Sequence, residues 1–344
     1  MCKKLILLAA FSCFGFSASS TAEVEPSAPE AAYQVPQAAK SLLTDLINVG
    51  GQKLVAVGER GHILLSQDGS SWLQASVPVQ ANLNSVYFLN NQLGWAVGHD
   101  ATILVTRDGG ASWQLQFYAP ETDKPLFDIY FVNEMQGIAV GAYGMFLRTN
   151  DGGDSWHGDF HDELLLEEDR EYLSELKQTD PELYKIETGA LLPHFNRLYA
   201  DGNVLYMVGE AGFAAKSHDF GDTWQRLEEF YNGSLFDLIR TPDMALMAAG
   251  LRGHVFTSQD HGLSWQQVML DENATINSVF ADDSGTVYLV GNAGTLLFSR
   301  DAATTFTDSS LADGKAIVNG LVWQDQLILV TETGIKTVNL SELK

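Results

Sequence analysis

The chain is predicted to be an all-β, seven-bladed β-propeller with four-stranded blades and one helical insert after the third Asp motif. Three observations carry this prediction. First, a short motif recurs six times: SQDGSSW (66–72), TRDGGASW (106–113), TNDGGDSW (149–156), SHDFGDTW (217–224), SQDHGLSW (258–265) and SRDAATTF (299–306). Its aspartates, Asp68, Asp108, Asp151, Asp219, Asp260 and Asp301, are 40, 43, 68, 41 and 41 residues apart. A period near 40 with strand-like content indicates one propeller blade per repeat. Second, a small polar residue precedes each motif aspartate by 23 residues inside a short apolar strand: Asp45, Ser85, Asp128, Asn196, Asp237 and Ser278. Third, Asn319 opens a seventh unit by the same count, and the chain ends at residue 344, where a seventh motif would begin.

Each unit repeats one grammar. An apolar strand such as NSVYFL (84–89) comes first. A second strand follows and ends in a small-residue turn: AVGERG, AVGHDA, AVGAYG, MVGEAG, AAGLRG, LVGNAG. A third strand such as HILLS (62–66) leads into the Asp motif, and the motif tryptophan opens a fourth. Short strands of β-branched and aromatic residues cut by glycine turns meet the needs of a four-stranded blade. Paired glycines suit positive φ in tight hairpins. The repeated aspartate can accept hydrogen bonds from turn N–H groups, and the tryptophan can pack between sheets.

The seventh unit lacks a fourth strand. Tyr33 lies 12 residues before Asp45, close to the usual 13-residue spacing from motif aromatic to next inner polar residue. Residues 33–36 are therefore expected to complete the last blade and tie the two ends together. Closing the ring would protect sheet edges that otherwise invite pairing.

The domain organisation reads as a signal peptide (1–22), a linker (23–32, with EVEPSAPEAA) and the propeller (33–344), with an insert at 158–190. Lys3 and Lys4, an apolar run from 5 to 16 and Ser20-Thr21-Ala22 have the layout of a secretory leader. The apolar run is shorter than the roughly 18 residues of a membrane-spanning helix. The expected location is periplasmic or secreted. Lipid attachment at Cys13 is the weaker alternative, because Phe11 fits a lipid-attachment box poorly. Cys2 and Cys13 both lie in the leader, so no disulfide or thiolate metal site is expected after export. Formal net charge is −24, or −26 without Lys3 and Lys4. Such a surface disfavours nucleic acid and anionic lipid, and favours solubility and basic partners. A monomer without stable membrane insertion is expected.

The rhythm breaks once. Asp151 and Asn196 are 45 residues apart, where other units use 17 to 20. Between Asp159 and Glu187 lie eleven acids against Arg170, Lys177 and Lys185. Leu165, Asp169, Tyr172 and Leu176, with Leu166 and Leu173, recur at amphipathic-helix spacing. Asp180-Pro181 ends that helix or starts a second one. The insert is read as a packed decoration or as a docking element over one end of the ring. Deleting 161–189 is expected to leave the propeller folded.

Chemistry is weakly signalled. Arg60, Arg148 and Arg252 follow second strands and could face one end of the ring, as a carboxylate-binding arginine set would. A sialidase also needs a tyrosine with a glutamate partner and an acid, and no such pairing is evident near the first strand. His157 and His161 lack a third ligand, so no metal is expected. No phosphate loop, nucleophile elbow or cofactor motif appears. Asp45, Asp128, Asn196, Asp237 and Asn319 are expected near the central channel, where they either bridge blades or bind a partner or ligand. The six motif aspartates are expected to be structural, and no catalytic residue is assigned.

The combination AVGxxGxhhxSxDGGxSW, closest in WAVGHDATILVTRDGGASW (95–113), resembles the photosystem II stability/assembly factor family of Asp-box propellers. The resemblance covers most of residues 33–344 and suggests a bacterial, non-photosynthetic relative. It implies an exported, non-enzymatic scaffold that holds a protein segment and assists assembly of a membrane complex, photosystem II or another envelope complex such as an exporter. No cofactor is implied. The alternative function is a glycan-binding or sialidase-like glycoside hydrolase propeller.

Overall fold

The computed structural model describes residues 29–343. The leader with Cys2 and Cys13, and most of the expected linker, lie outside the described residues. Seven antiparallel sheets follow one another along the chain, and in each the strands run in chain order from the centre outward. Blade one comprises Leu43–Val49, Lys53–Gly58, Ile63–Ser66 and Leu73–Gln74. Blades two to six repeat the plan with four strands. Blade seven has three: Ile317–Trp323, Gln326–Thr331 and Gly334–Asn339.

The second strand of every blade is covered on both faces by the neighbouring sheets. Leu54, Val55, Ala56 and Val57 are fully buried, as are Leu327, Ile328, Leu329 and Val330 in blade seven. This is why these strands read as unbroken apolar runs rather than alternating ones. The motif tryptophans pack onto the preceding blade: Trp113 joins Val55 and Val57 of blade one, and Trp72 joins Trp323 and Ile328 of blade seven. In blade seven, where no motif aromatic exists, Leu340 and Leu343 join Tyr288 and Phe298 of blade six in one apolar cluster.

The glycine turns divide their labour. Gly61, Gly144 and Gly253 hold positive φ, as expected. The glycine that ends each second strand does not; Gly58 is extended, with φ −177°. It is required by close approach, since a Cβ on Gly98 would lie 2.0 Å from the Asn82 carbonyl oxygen.

Ring closure differs from the expectation for Tyr33. The peptide carbonyl of Tyr33 accepts from the Gln74 side chain, and the Gln34 side chain donates to the Ala75 carbonyl. The Ala32 N–H donates to the Val77 carbonyl. Residues 32–35 thus border the outer strand of blade one, and the Tyr33 side chain is 67% exposed. The ends are joined instead by packing and by a hydrogen bond from the Asn319 amide to Asp45. The 3-10 turn Ala38–Lys40 rests on the third strand of blade seven, and Ala38, Leu43 and Leu46 form one cluster with Trp323, Ile328 and Val330.

The break in rhythm contains two helices, α1 (Glu167–Thr179) and α2 (Pro181–Glu187). Glu167, Glu168 and Asp169 sit in the first turn of α1, where the helix dipole favours negative charge. Asp180 caps α2 by accepting from the Leu183 N–H at 3.1 Å. Leu173 and Leu176 face inward, while Tyr172 and Leu166 remain exposed, so the buried stripe is narrower than the periodicity suggested. Leu164, Leu165, Leu173 and Leu176 share a core with Phe146 of blade three and Phe195, Phe213 and Trp224 of blade four. The Glu163 carboxylate accepts from the Trp224 N–H, and the Leu164 carbonyl from Arg226. Deleting 161–189 would strip this core, so the structure argues against a clean deletion.

Candidate functional site

Each Asp motif is a self-contained turn. In blade three the Thr149 hydroxyl donates to Asp151 at 2.8 Å and accepts from the Gly153 N–H at 2.9 Å. Asp151 also accepts from the Ser155 N–H at 2.9 Å and the Ser155 hydroxyl at 2.6 Å. Asp108, Asp219, Asp260 and Asp301 repeat this arrangement, and Asp68 accepts from the Ser70 and Ser71 N–H groups. These carboxylates are occupied in holding their own turns.

The same bonds set their acidity. Donation from the Ser155, Ser264 and Thr305 hydroxyls, aided by backbone N–H groups, holds Asp151, Asp260 and Asp301 down at about 2. Because the folded values lie below the unfolded one, their stabilisation is present above about pH 4 and is lost as pH falls through about 2. The melting temperature should therefore decline steeply between about pH 4 and pH 2, with a shallower fall in that window for Ser155→Ala. A Ser155→Ala profile parallel to that of the unchanged protein would contradict this role.

The inner polar residues form a belt around the central channel. The Asn319 amide donates to Asp45 at 2.5 Å, closing the ring across residues 274 apart. Asp45 accepts from the Val86 N–H of blade two at 2.9 Å. Ser85 donates to Asp128 at 2.8 Å, and Asp128 accepts from the Leu198 N–H at 2.8 Å. The Arg197 Nε lies 3.2 Å from Asp237 and 3.7 Å from Asp128. Ser278 bridges Asp237 and Asn319, at 2.8 Å each.

Arg197 was not identified from the sequence. It occupies the position assigned to Asn196: Arg197 pairs with Val208, as Asp45 pairs with Val57 and Asp237 with Ala249. The hairpin of blade four is one residue shorter, so a fixed count back from the motif aspartate lands on Asn196. Asn196 instead donates to the Leu235 carbonyl of the next blade at 2.8 Å, as Asn84 does to Leu126 and Asn277 to Ile317.

Arg197 supplies the belt's positive charge among three aspartates. Burial would lower its pKa, but Asp128, Asp237 and Asp45 outweigh burial and raise it. Burial pushes the Asp128 carboxyl up, against the opposing pull of Arg197. The belt joins neighbouring blades through buried charge-assisted bonds.

The three candidate arginines do not converge. Arg60 and Arg252 are exposed at matching left-handed positions, φ 56° and 58°, on the rim where the chain passes between blades. Arg148 points elsewhere. It donates to Asp159 at 2.8 Å and to the Gly221 carbonyl at 2.7 Å, and lies 3.2 Å from Asp222, tying blade three to the Asp motif of blade four. His157 is exposed, whereas His161 is buried with Nδ1 3.0 Å from Glu163. Among the described residues no three potential metal ligands cluster.

These features define the class: a seven-bladed Asp-box propeller whose inner polar groups are bonded to one another. Residues 64–123 match the family model of photosynthesis system II assembly factor YCF48. The chain is 28% identical over 233 residues to photosystem II assembly protein Ycf48 of Thermosynechococcus vestitus, covering 67% of this chain and 60% of that relative. It is 41% identical over 58 residues, 17% of each chain, to photosystem II assembly lipoprotein Ycf48 of Trichormus variabilis. A solved structure of YCF48 bound to D1 peptide superposes with a TM-score of 0.65 at 21% identity, over 91% of this chain and 99% of that one. That likeness shows the fold. Repeat, sequence similarity and architecture together make the chain similar to the photosystem II assembly factor β-propellers.

Proposed function

We propose that this protein is an exported, non-catalytic scaffold that binds a segment of a protein partner and assists assembly or operation of a membrane complex in the cell envelope. The similarity over 233 residues to a photosystem II assembly protein carries this reading. The structure adds a physical reason. The motif aspartates are committed to their turns, and Asp45, Asp128 and Asp237 to the belt. Groups so occupied serve rigidity, and a rigid ring presents loops to a partner. The leader read from residues 1–22 and the lipoprotein relative favour a location outside the cytoplasm. The protein acts as a monomer on a partner complex, which is photosystem II where the organism carries one.

Crosslinking in the native envelope followed by affinity capture tests this. A discrete membrane-complex subunit bound to the chain is the expected result, and no captured partner would contradict it. A panel of fluorogenic glycosides tests the hydrolase alternative. Turnover abolished by a single carboxylate substitution would favour an enzyme; the scaffold reading predicts none.

A further inference from the structure

We infer that the groove between the helical insert and the rim of blades three and four binds an extended protein segment carrying apolar side chains flanked by lysine or arginine. This rests on the scaffold reading and names the surface and the partner's chemistry. The groove measures about 320 Å³ and is lined by Tyr143, Leu165, Leu166, Asp169, Pro193 and Glu210. Its walls come from different parts of the fold: the blade-three rim turn, the insert leading into α1, the strand entry of blade four and the blade-four rim turn.

Tyr143 marks the site. It occupies the left-handed turn position, φ 52° and ψ 46°, where a bulky residue is rare. Blades four and six place alanine at the equivalent point, Ala211 and Ala293, and blades one and five place arginine, Arg60 and Arg252, so Tyr143 is the aromatic among them. The ring is nonetheless 48% exposed, seated edge-on against His194 with centroids 4.6 Å apart. Leu166 beside it is 47% exposed. A strained backbone holding an aromatic ring half in solvent contributes little to folding, but it presents an apolar anchor surface.

Charge selects the occupant. Asp169 and Glu210 border the groove, and exposed Glu167, paired with Arg170 at 2.9 Å, and exposed Glu168 precede Asp169 on α1. Two cations stand at the groove, Arg226 in its lining and Lys124 with its ammonium 5.9 Å from the Tyr143 ring centroid, and both are bonded within the protein. Arg226 donates to the Leu164 carbonyl at 3.1 Å and stacks over Phe213, while Lys124 donates to the Gly189 carbonyl. A basic, apolar segment therefore finds matching charge around a matching surface, in a chain whose net charge of −24 steers cations inward.

The test uses the full chain and three fluorescein-labelled 12-residue synthetic peptides read by anisotropy. One alternates leucine with lysine, one replaces lysine by glutamate, and one replaces leucine by serine. The first should bind at least tenfold tighter than either other, and more weakly as salt rises. Tyr143→Gly removes the ring and suits the backbone, so it should weaken binding at least fivefold with an unchanged or higher melting temperature. Asp169→Asn with Glu210→Gln should erase the preference for lysine over glutamate. Equal affinity for the three peptides, or binding untouched by these substitutions, overturns the inference. Envelope crosslinking separates the two readings: a partner captured regardless of these substitutions sinks the groove and leaves the scaffold, whereas no captured partner sinks the scaffold.

Discussion

Replacing Arg197 by methionine should destabilise the protein by about 3 kcal/mol at pH 7, measured by urea denaturation, without changing the fold. Asp45, Asp128 and Asp237 are 3–5% exposed. Removing their shared cation leaves buried charges without compensation, a change that typically costs 3–5 kcal/mol. The lower figure applies because the Arg197 side chain keeps 32% of its surface in the channel. The deficit should shrink as pH falls, since Asp128, already raised by burial, then takes up a proton. Adding Asp128→Asn should restore part of the loss, because the two positions share one network. A loss below about 1 kcal/mol with no pH dependence would mean that Arg197 is a solvated channel residue.

Leu164→Ala should cost about 3 kcal/mol. Leu164 is fully buried in the core that joins the insert to blades three and four, and leucine truncation at such sites costs 2–5 kcal/mol. The same variant should be cut faster by trypsin at Lys177 and Lys185, which are exposed on α1 and α2. Faster cleavage with unchanged global stability would show that the insert is an independent appendage. The distinction matters because the groove depends on the insert being held in place.

Much of the fold was legible because it repeats. The Asp motif, the glycine turn and the apolar strand recur at fixed offsets, so each blade corroborated the others. The failures occur where a fixed count meets a local change in length. The offset from Asp219 led to Asn196, whereas the pattern of a buried apolar residue, one spacer, a polar residue and a buried apolar residue points to Arg197. That pattern is Leu43-x-Asp45-Leu46 in blade one, Leu235-x-Asp237-Leu238 in blade five and Phe195-x-Arg197-Leu198 in blade four. Tyr33 failed for a related reason: spacing along the chain says nothing about which of two adjoining outer strands a terminal segment borders. The insert's helices were visible in periodicity, but two residues of that amphipathic spacing, Tyr172 and Leu166, face solvent. The Tyr143 groove was invisible, since it joins residues from four separate stretches and Tyr143 looks like an ordinary turn residue.

The most direct measurement is photocrosslinking in the native envelope, with a benzophenone amino acid placed at Tyr143 or, on an Asp-motif loop, at Leu263, which is 65% exposed. The account in which the scaffold grips its partner at the groove predicts a discrete adduct with a membrane-complex subunit from position 143 and little or none from position 263. Equal adducts from both positions, or none from position 143, would contradict it.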